Sequence, residues 1–325
     1  MTTLVGHHDQ VAAFRDAFAG GRPHHAWLLT GPQGLGKALF AHEAATWLLA
    51  GCPAGEGLAV ADDAPAARFM AAGSHLDFKY IAREEGSTGN LRAEIVIGQI
   101  VRRPDSVGQP LREFLAGTPM LGPRRVVVID AADDMNRNTA NALLKNLEEP
   151  SETTIFLLVS HMPGRLLPTI RSRCRTLRFQ PLPDADVARV LDTAGVPPDE
   201  HDALVQAANG LPGRALALAE TGLAALEKEL AVLAATPPAA APARAQALAR
   251  SVAGKANVGR YTALLERAPA MLAAAARTRQ GPARARAIAD WEAASRLAGD
   301  AMPLQLEPGQ VAFSLGMALA RLSQP

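Results

Sequence analysis

Two kinds of hydrophobic pattern alternate along the first half of this chain. Runs of consecutive apolar residues, "HAWLLT" (25–30), "RRVVVID" (124–130) and "TIFLLVS" (154–160), predict strands, and the shorter "RTLRF" (175–179) reads as a fourth. A strand covered on both faces reads as an unbroken aliphatic and β-branched run rather than as an alternation. Between these runs lie segments with helical spacing, one reaching Leu49 and one over "NRNTANALLKNLEE" (136–149), which Pro150 stops. Strands alternating with helices predict a parallel sheet with helices on both faces, so residues 1–181 read as an α/β domain.

The pattern changes beyond this point. Residues 182–222 hold three short helical segments, "PDADVARVLDTAG", "PDEHDALVQAANG" and "PGRALALAE", each opened by Pro or Asp. Residues 223–325 are alanine-rich, 32 of 103 positions, and "TPPAAAPA" (236–243) marks a break between helices. Small side chains let helices pack closely, which predicts an all-helical C-terminal domain. Residues 51–73 show little pattern and read as a variable excursion.

Composition narrows the class. With 325 residues and 48% apolar content the chain is long and apolar enough for two or three packed domains, which excludes a disordered polymer. No apolar run is long enough to span a bilayer, and "MTTLVGHHDQ" lacks the features of a secretory signal, so a cytoplasmic location without membrane attachment is expected. Cys52 and Cys174 lie far apart and imply no disulfide framework. From Leu223 onward 12 Arg/Lys face 7 Asp/Glu, a balance of +5 that leaves −4 for residues 1–222. Such a bias reads first as solvated helix faces.

The candidate chemistry begins at "GPQGLGKA" (31–38), between a strand and a helix as a phosphate-binding loop requires. Gly31, Gly34 and Gly36 allow backbone N–H groups to converge on phosphate oxygens, and Lys37 would reach the outer phosphates. Hydrolysis needs magnesium, usually held by a hydroxyl at the position of Ala38 and by the acid that ends a nearby strand. Asp130 supplies that acid. A Glu that commonly follows it in active ATPases, polarising the attacking water, is here Ala131. Asp133 and Asp134 are the candidate substitutes, although a helix-entering turn would aim them differently.

"IDAADDMNRNTANALLKNLEEPS", followed by "FLLVSHMPGRLLPTIRSRC", resembles the clamp-loader branch of the AAA+ ATPases, and within it the delta-prime family of bacterial DNA polymerase III. The resemblance extends from "GHHDQVAAF" to "GLPGRALAL"; the C-terminal helices match only in size and composition. It implies an AAA+ P-loop domain (1–181), a small helical lid (182–222) and an all-helical oligomerisation collar (223–325). It also implies a subunit without its own ATPase activity in a hetero-oligomeric ring. The implied partners are gamma/tau motor and delta subunits and, indirectly, the sliding clamp and primer-template DNA.

In that family an arginine in a Ser-Arg-Cys motif acts on the nucleotide of the neighbouring subunit; here the motif is Ser172-Arg173-Cys174, making Arg173 the candidate trans-acting finger. Ser160 falls near the first-sensor position, where a polar residue reads the terminal phosphate. Arg214 falls in the second-sensor region, where it either contacts nucleotide or braces the lid helix. No cofactor is required, and weak ATP or ADP binding through Lys37 and the loop amides stays open. The four-cysteine zinc module of many relatives is not matched: Cys52 and a distant His75 cannot make a four-ligand site, so no zinc and no other metal is expected. Cys174 reads as packed rather than nucleophilic. His7, His8, His24 and His25 carry no evident chemistry. Two other classes remain on the residues alone: an active ATPase motor of the same fold, and a DNA-binding module, which 4% aromatic content does little to recommend.

Overall fold

The computed structural model describes residues 4–20, 23–85, 91–104, 106, 108–220, 222–254 and 257–323. The chain divides into two compact units, one of Met1–Thr193 with Asn209–Gly213 and one of Ala194–Ala208 with Arg214–Pro325. In chain order the first unit contains α1 (His8–Ala19), β1 (Ala26–Thr30), α2 (Lys37–Leu49), α3 (Pro65–Ala71) and β2 (Phe78–Ala82). It continues through α4 (Leu111–Leu115), β3 (Arg125–Asp130), α5 (Arg137–Glu148), β4 (Thr154–Ser160), α6 (Pro168–Arg171), β5 (Arg175–Arg178) and α7 (Asp184–Thr193). No described helix is long and apolar enough to cross a membrane.

Five parallel strands form one sheet in the order β2-β3-β4-β1-β5. Side chains alternate faces with a period of two, so each inner strand feeds two cores. Trp27 and Leu29 of β1, with Val126 and Val128 of β3, pack against Phe14 and Phe18 of α1 and Phe40 and Trp47 of α2. Ala26, Leu28, Val127, Ile129, Phe156 and Leu158 face the other way, against Leu143 and Leu147 of α5 and Ile170 of α6. The expected sheet with helices on both faces is present, and the four expected strands all form. The fifth, β2, is an edge strand like β5 and was not expected: only Ile81 is buried along "FKYIA", so no buried apolar run marks it. The excursion after α2 also carries one short helix, α3, opened by Pro65.

One buried ionic cluster fixes the start of β3. Asp77, completely buried, accepts hydrogen bonds from the backbone N–H groups of Met120 (2.8 Å) and Leu121 (2.7 Å) and lies 3.7 Å from Nε of Arg125. Arg125 in turn donates to the carbonyls of Gly117 (2.6 Å) and Thr118. The turn from α4 into β3 thus closes on a carboxylate and a guanidinium that have both left water.

The second unit is helical: α8 (Pro198–Ala208), most of α9 (Pro212–Glu220), α10 (Leu223–Ala235), α11 (Pro242–Ser251), α12 (Val258–Thr278), α13 (Gly281–Ala301) and α14 (Pro308–Ala320). The break expected over 236–243 falls between α10 and α11. Its core joins Leu226, Leu230 and Leu233 of α10 to Leu264 and Leu272 of α12 and Leu315 and Leu319 of α14. α13 buries only Ala287, Ala294 and Ala301, a narrow line at seven-residue spacing.

Removing one partner of a buried ion pair leaves an uncompensated charge and costs about 3–5 kcal/mol. Asp77→Ala is therefore expected to destabilise the protein by about 3–5 kcal/mol in urea unfolding; a loss below about 1 kcal/mol would show that the cluster contributes little.

Candidate functional site

The carboxyl ends of parallel strands open onto helix N-termini, which is where ligands bind in open α/β sheets. Here that edge gathers the loop 31–36, Lys37, Asp130 and Ser160. The register puts Thr30, the last residue of β1, beside Ser160, the last of β4. The loop leaves β1 at Gly31, whose φ of +146° and whose approach to the Phe179 carbonyl, 2.7 Å from where a Cβ would stand, exclude other residues. Gly36 is the N-cap of α2. Gly34 accepts a hydrogen bond through its carbonyl from the Gly213 N–H at 2.8 Å. A Cβ on Gly213 would meet the Gly34 Cα at 2.9 Å, so the two chain segments touch backbone to backbone.

Lys37 is buried, and its ammonium donates to the carbonyls of Gly31 and Pro32, both at 2.6 Å. Burial pushes its pKa down to about 8, against the opposing pull of Asp130 and Asp133. The loop thus satisfies its own lysine. His7 joins the arrangement from the N-terminal side: its Nε2 donates to the Leu35 carbonyl at 2.8 Å, and its ring meets Phe179 edge-on. Burial lowers the His7 pKa, so the neutral ring is favoured. A histidine to which the sequence gives no role therefore buttresses the phosphate loop.

The acidic side of the site is equally occupied. Asp130 accepts a hydrogen bond from the Tyr80 hydroxyl at 2.7 Å, and burial together with that carboxylate raises the phenol pKa. Asp133 accepts from the Ser160 hydroxyl at 2.7 Å and from the backbone N–H groups of His161 and Met162. Asp134 pairs with Arg83 at 3.0 Å. Neither Asp133 nor Asp134 is free to take the place of the acid missing at Ala131. Ser160, completely buried, is held by Asp133. Ala38 offers no side-chain oxygen, so the hydroxyl ligand that magnesium usually has at this position is missing, while one oxygen of Asp130 accepts from Tyr80. Tyr80 was not legible because it sits on an edge strand with no motif around it.

Arg173 lies at the other end of the strands. It follows α6 and precedes β5, whose first residue, Arg175, pairs in register with Trp27. Three strand rises, about 10 Å, separate that level from the start of the phosphate loop, so Arg173 stands on the far edge of the sheet. Its Nη2 pairs with Oε1 of Glu148 at 2.9 Å and its Nη1 donates to the Thr169 carbonyl at 3.1 Å. About a third of the side chain is exposed (36%). Among its neighbours, Arg175 stacks over the Trp27 ring at 4.9 Å. Arg214 is exposed on α9 and belongs to the second unit.

Cys52 and His75 make unrelated contacts: Arg124 donates to the Cys52 sulfur at 3.2 Å, and the His75 ring accepts from the Asp77 N–H at 3.2 Å. Among the described residues no group of three or more His, Cys, Asp or Glu could hold a metal ion. Cys174 packs against the α5–α6 side of the sheet core, and burial pushes its thiol up to about 12.

Comparison with known proteins places this geometry. The family model described as DNA polymerase III, delta subunit, matches residues 6–183. A DNA polymerase III subunit delta' of Pseudomonas aeruginosa is 41% identical over 187 residues, 57% of this chain and 52% of that protein. The Escherichia coli subunit delta' is 32% identical over 203 residues, 62% of this chain and 56% of its own length. A DNA polymerase III subunit gamma/tau of Mycobacterium bovis is 29% identical over 228 residues, 68% of this chain and 36% of that protein. The chain thus spans about half the length of the delta' relatives from P. aeruginosa and E. coli.

Because only the thiolate is nucleophilic, a thiol held at about 12 should be nearly inert near neutrality. Alkylation of Cys174 near pH 8 should run at least about 100-fold slower in the native than in the denatured protein, and climb about tenfold per pH unit below its pKa. Fast native labelling at Cys174 would contradict the packed assignment.

Proposed function

The chain belongs to the family described as DNA polymerase III, delta subunit, and from that premise we propose that it serves as a delta-prime-type member of a clamp loader. In this role it sits in a hetero-oligomeric ring beside gamma/tau motor subunits and a delta subunit, and the ring loads the sliding clamp at primer-template DNA. The chain hydrolyses no ATP itself and supplies Arg173 to the nucleotide of a neighbour. Residues 1–181 act as the P-loop domain, 182–222 as the lid and 223–325 as the collar that joins the ring; Arg214 either contacts nucleotide from the lid or braces the lid helix.

The observation that carries this proposal is the separation of the two candidate elements. Arg173 stands at the amino ends of the strands while Lys37 and Asp130 stand at the carboxyl ends, so Arg173 cannot serve its own loop. A nucleotide that it touches must belong to another subunit. An arginine placed so that its planar fork meets charge developing on a transferred phosphoryl group is worth roughly 10³–10⁵ in rate. Ala38 and Ala131 support the absence of intrinsic turnover, because a hydroxyl that would hold magnesium and an acid that would polarise water are both missing. Loss of these positions leaves the ring's other sites untouched, which is what a stationary subunit can tolerate.

Two measurements test the proposal. The isolated chain should release no phosphate from ATP above background, and Lys37→Ala should change nothing; turnover that Lys37→Ala abolishes would make this an active motor instead. In a ring reconstituted with gamma/tau, Arg173→Ala should leave fold and assembly intact, with a stability change within about 1 kcal/mol because an exposed pair contributes little. Turnover at the adjacent site should nevertheless fall with little change in nucleotide affinity. Arg178→Ala, the control for bulk charge, should have no such effect, and Arg173→Lys should rescue poorly because a point charge lacks the planar fork.

A further inference from the structure

Arg173 does not stand alone on its edge of the sheet: its Nη2 lies 2.9 Å from Oε1 of Glu148, the last residue of α5. A carboxylate beside a candidate finger can either hold it in the useful direction or sequester it, and the surroundings of Glu148 decide between the two. α5 is fixed at both ends. At its start Asn136 caps the helix by accepting from the Thr139 N–H at 3.0 Å, and the Thr139 hydroxyl donates to the Ile95 carbonyl at 3.1 Å. At its end Leu147 is buried, and its carbonyl accepts from Nε2 of His25 at 3.1 Å, next to the first residue of β1. Glu148 therefore projects from a backbone that cannot shift freely. The second contact of Arg173, to the Thr169 carbonyl at 3.1 Å, comes from its own short helix.

A guanidinium carries five N–H donors in a rigid fork. These two contacts engage one N–H each of Nη1 and Nη2, so the fork has further donors for an incoming ligand. An arginine side chain otherwise samples many rotamers, and ordering such a chain costs about 0.5–1.5 kcal/mol on association. Two fixed acceptors lower that cost before any neighbour arrives.

We propose that Glu148 is a positioning residue for Arg173: it holds the guanidinium in the direction from which it meets the phosphate of the adjacent subunit. The inference rests on the trans role of Arg173 proposed above. Glu148 touches no nucleotide in this account, so its effect passes entirely through the direction of Arg173 and appears in turnover rather than in nucleotide affinity.

The test uses the full chain reconstituted in a ring with gamma/tau subunits, reading kcat and KM for ATP at the site adjacent to this chain. Glu148→Ala should lower kcat about two- to fivefold, the range that an exposed ion pair supports, with KM unchanged. Glu148→Gln keeps an acceptor at the same place and should recover part of the loss. Combining Glu148→Ala with Arg173→Ala should give no more than the Arg173→Ala defect alone. Glu148 is exposed and Arg173 half-buried, and unaltered melting of the Glu148→Gln chain secures the comparison if Glu148→Ala folds poorly. Wild-type kcat for Glu148→Ala beside a deficient Arg173→Ala overturns this inference and leaves the trans role standing. A higher kcat would make Glu148 a brake and also overturns it. A ring indifferent to Arg173→Ala overturns the trans role and this inference with it.

Discussion

All five strands of the sheet run the same way, and that single constraint distributes the rest of the chemistry. Parallel strands give the sheet two unlike edges, one opening onto helix N-termini and one receiving helix C-termini. The loop 31–36 and Lys37 fall on the first edge because they follow β1, and Asp130 and Ser160 because they end β3 and β4. Arg173 and Glu148 fall on the second because one precedes β5 and the other ends α5. No side-chain motion within one chain bridges the length of a strand, so Arg173 and the loop do not meet within one chain.

The first edge shows how a phosphate loop is stabilised by its own chain. Lys37 donates to two loop carbonyls, Tyr80 to Asp130 and Ser160 to Asp133, while His7 and Gly213 brace the loop from outside. The contacts of Lys37, Ser160 and His7 satisfy groups that would be costly to leave buried and unpaired. The loop keeps its shape through these bonds, so the shape itself says nothing for hydrolysis.

Most of the sheet was legible from sequence because the inner strands are buried on both faces and must be apolar throughout. The two edge strands carry no such run, since β5 buries only Leu177 and β2 only Ile81, and of these β2 was not read from the sequence. The loop and Asp130 were legible because their chemistry depends on residue type at fixed spacing. Tyr80 and the buttressing role of His7 were not, since each acts across a distance in sequence that no local pattern records. Glu148 sits in the most motif-like stretch of the chain, yet its pairing with Arg173 depends on how α5 ends against α6, which only the packed structure specifies. The resemblance of the C-terminal helices was limited to size and composition, and their packing, with Ala287, Ala294 and Ala301 as the buried line of α13, follows from small-residue spacing rather than from any motif.

The proposed division of labour turns on where the Arg173 guanidinium lies once a neighbour is in place. The most direct measurement is a structure of the ring reconstituted with gamma/tau and trapped with a transition-state analogue of ATP. The account predicts an Arg173 nitrogen within about 3 Å of the terminal phosphate analogue in the adjacent subunit, with Glu148 still beside it. An Arg173 directed to solvent, with that phosphate met by some other group, would contradict it.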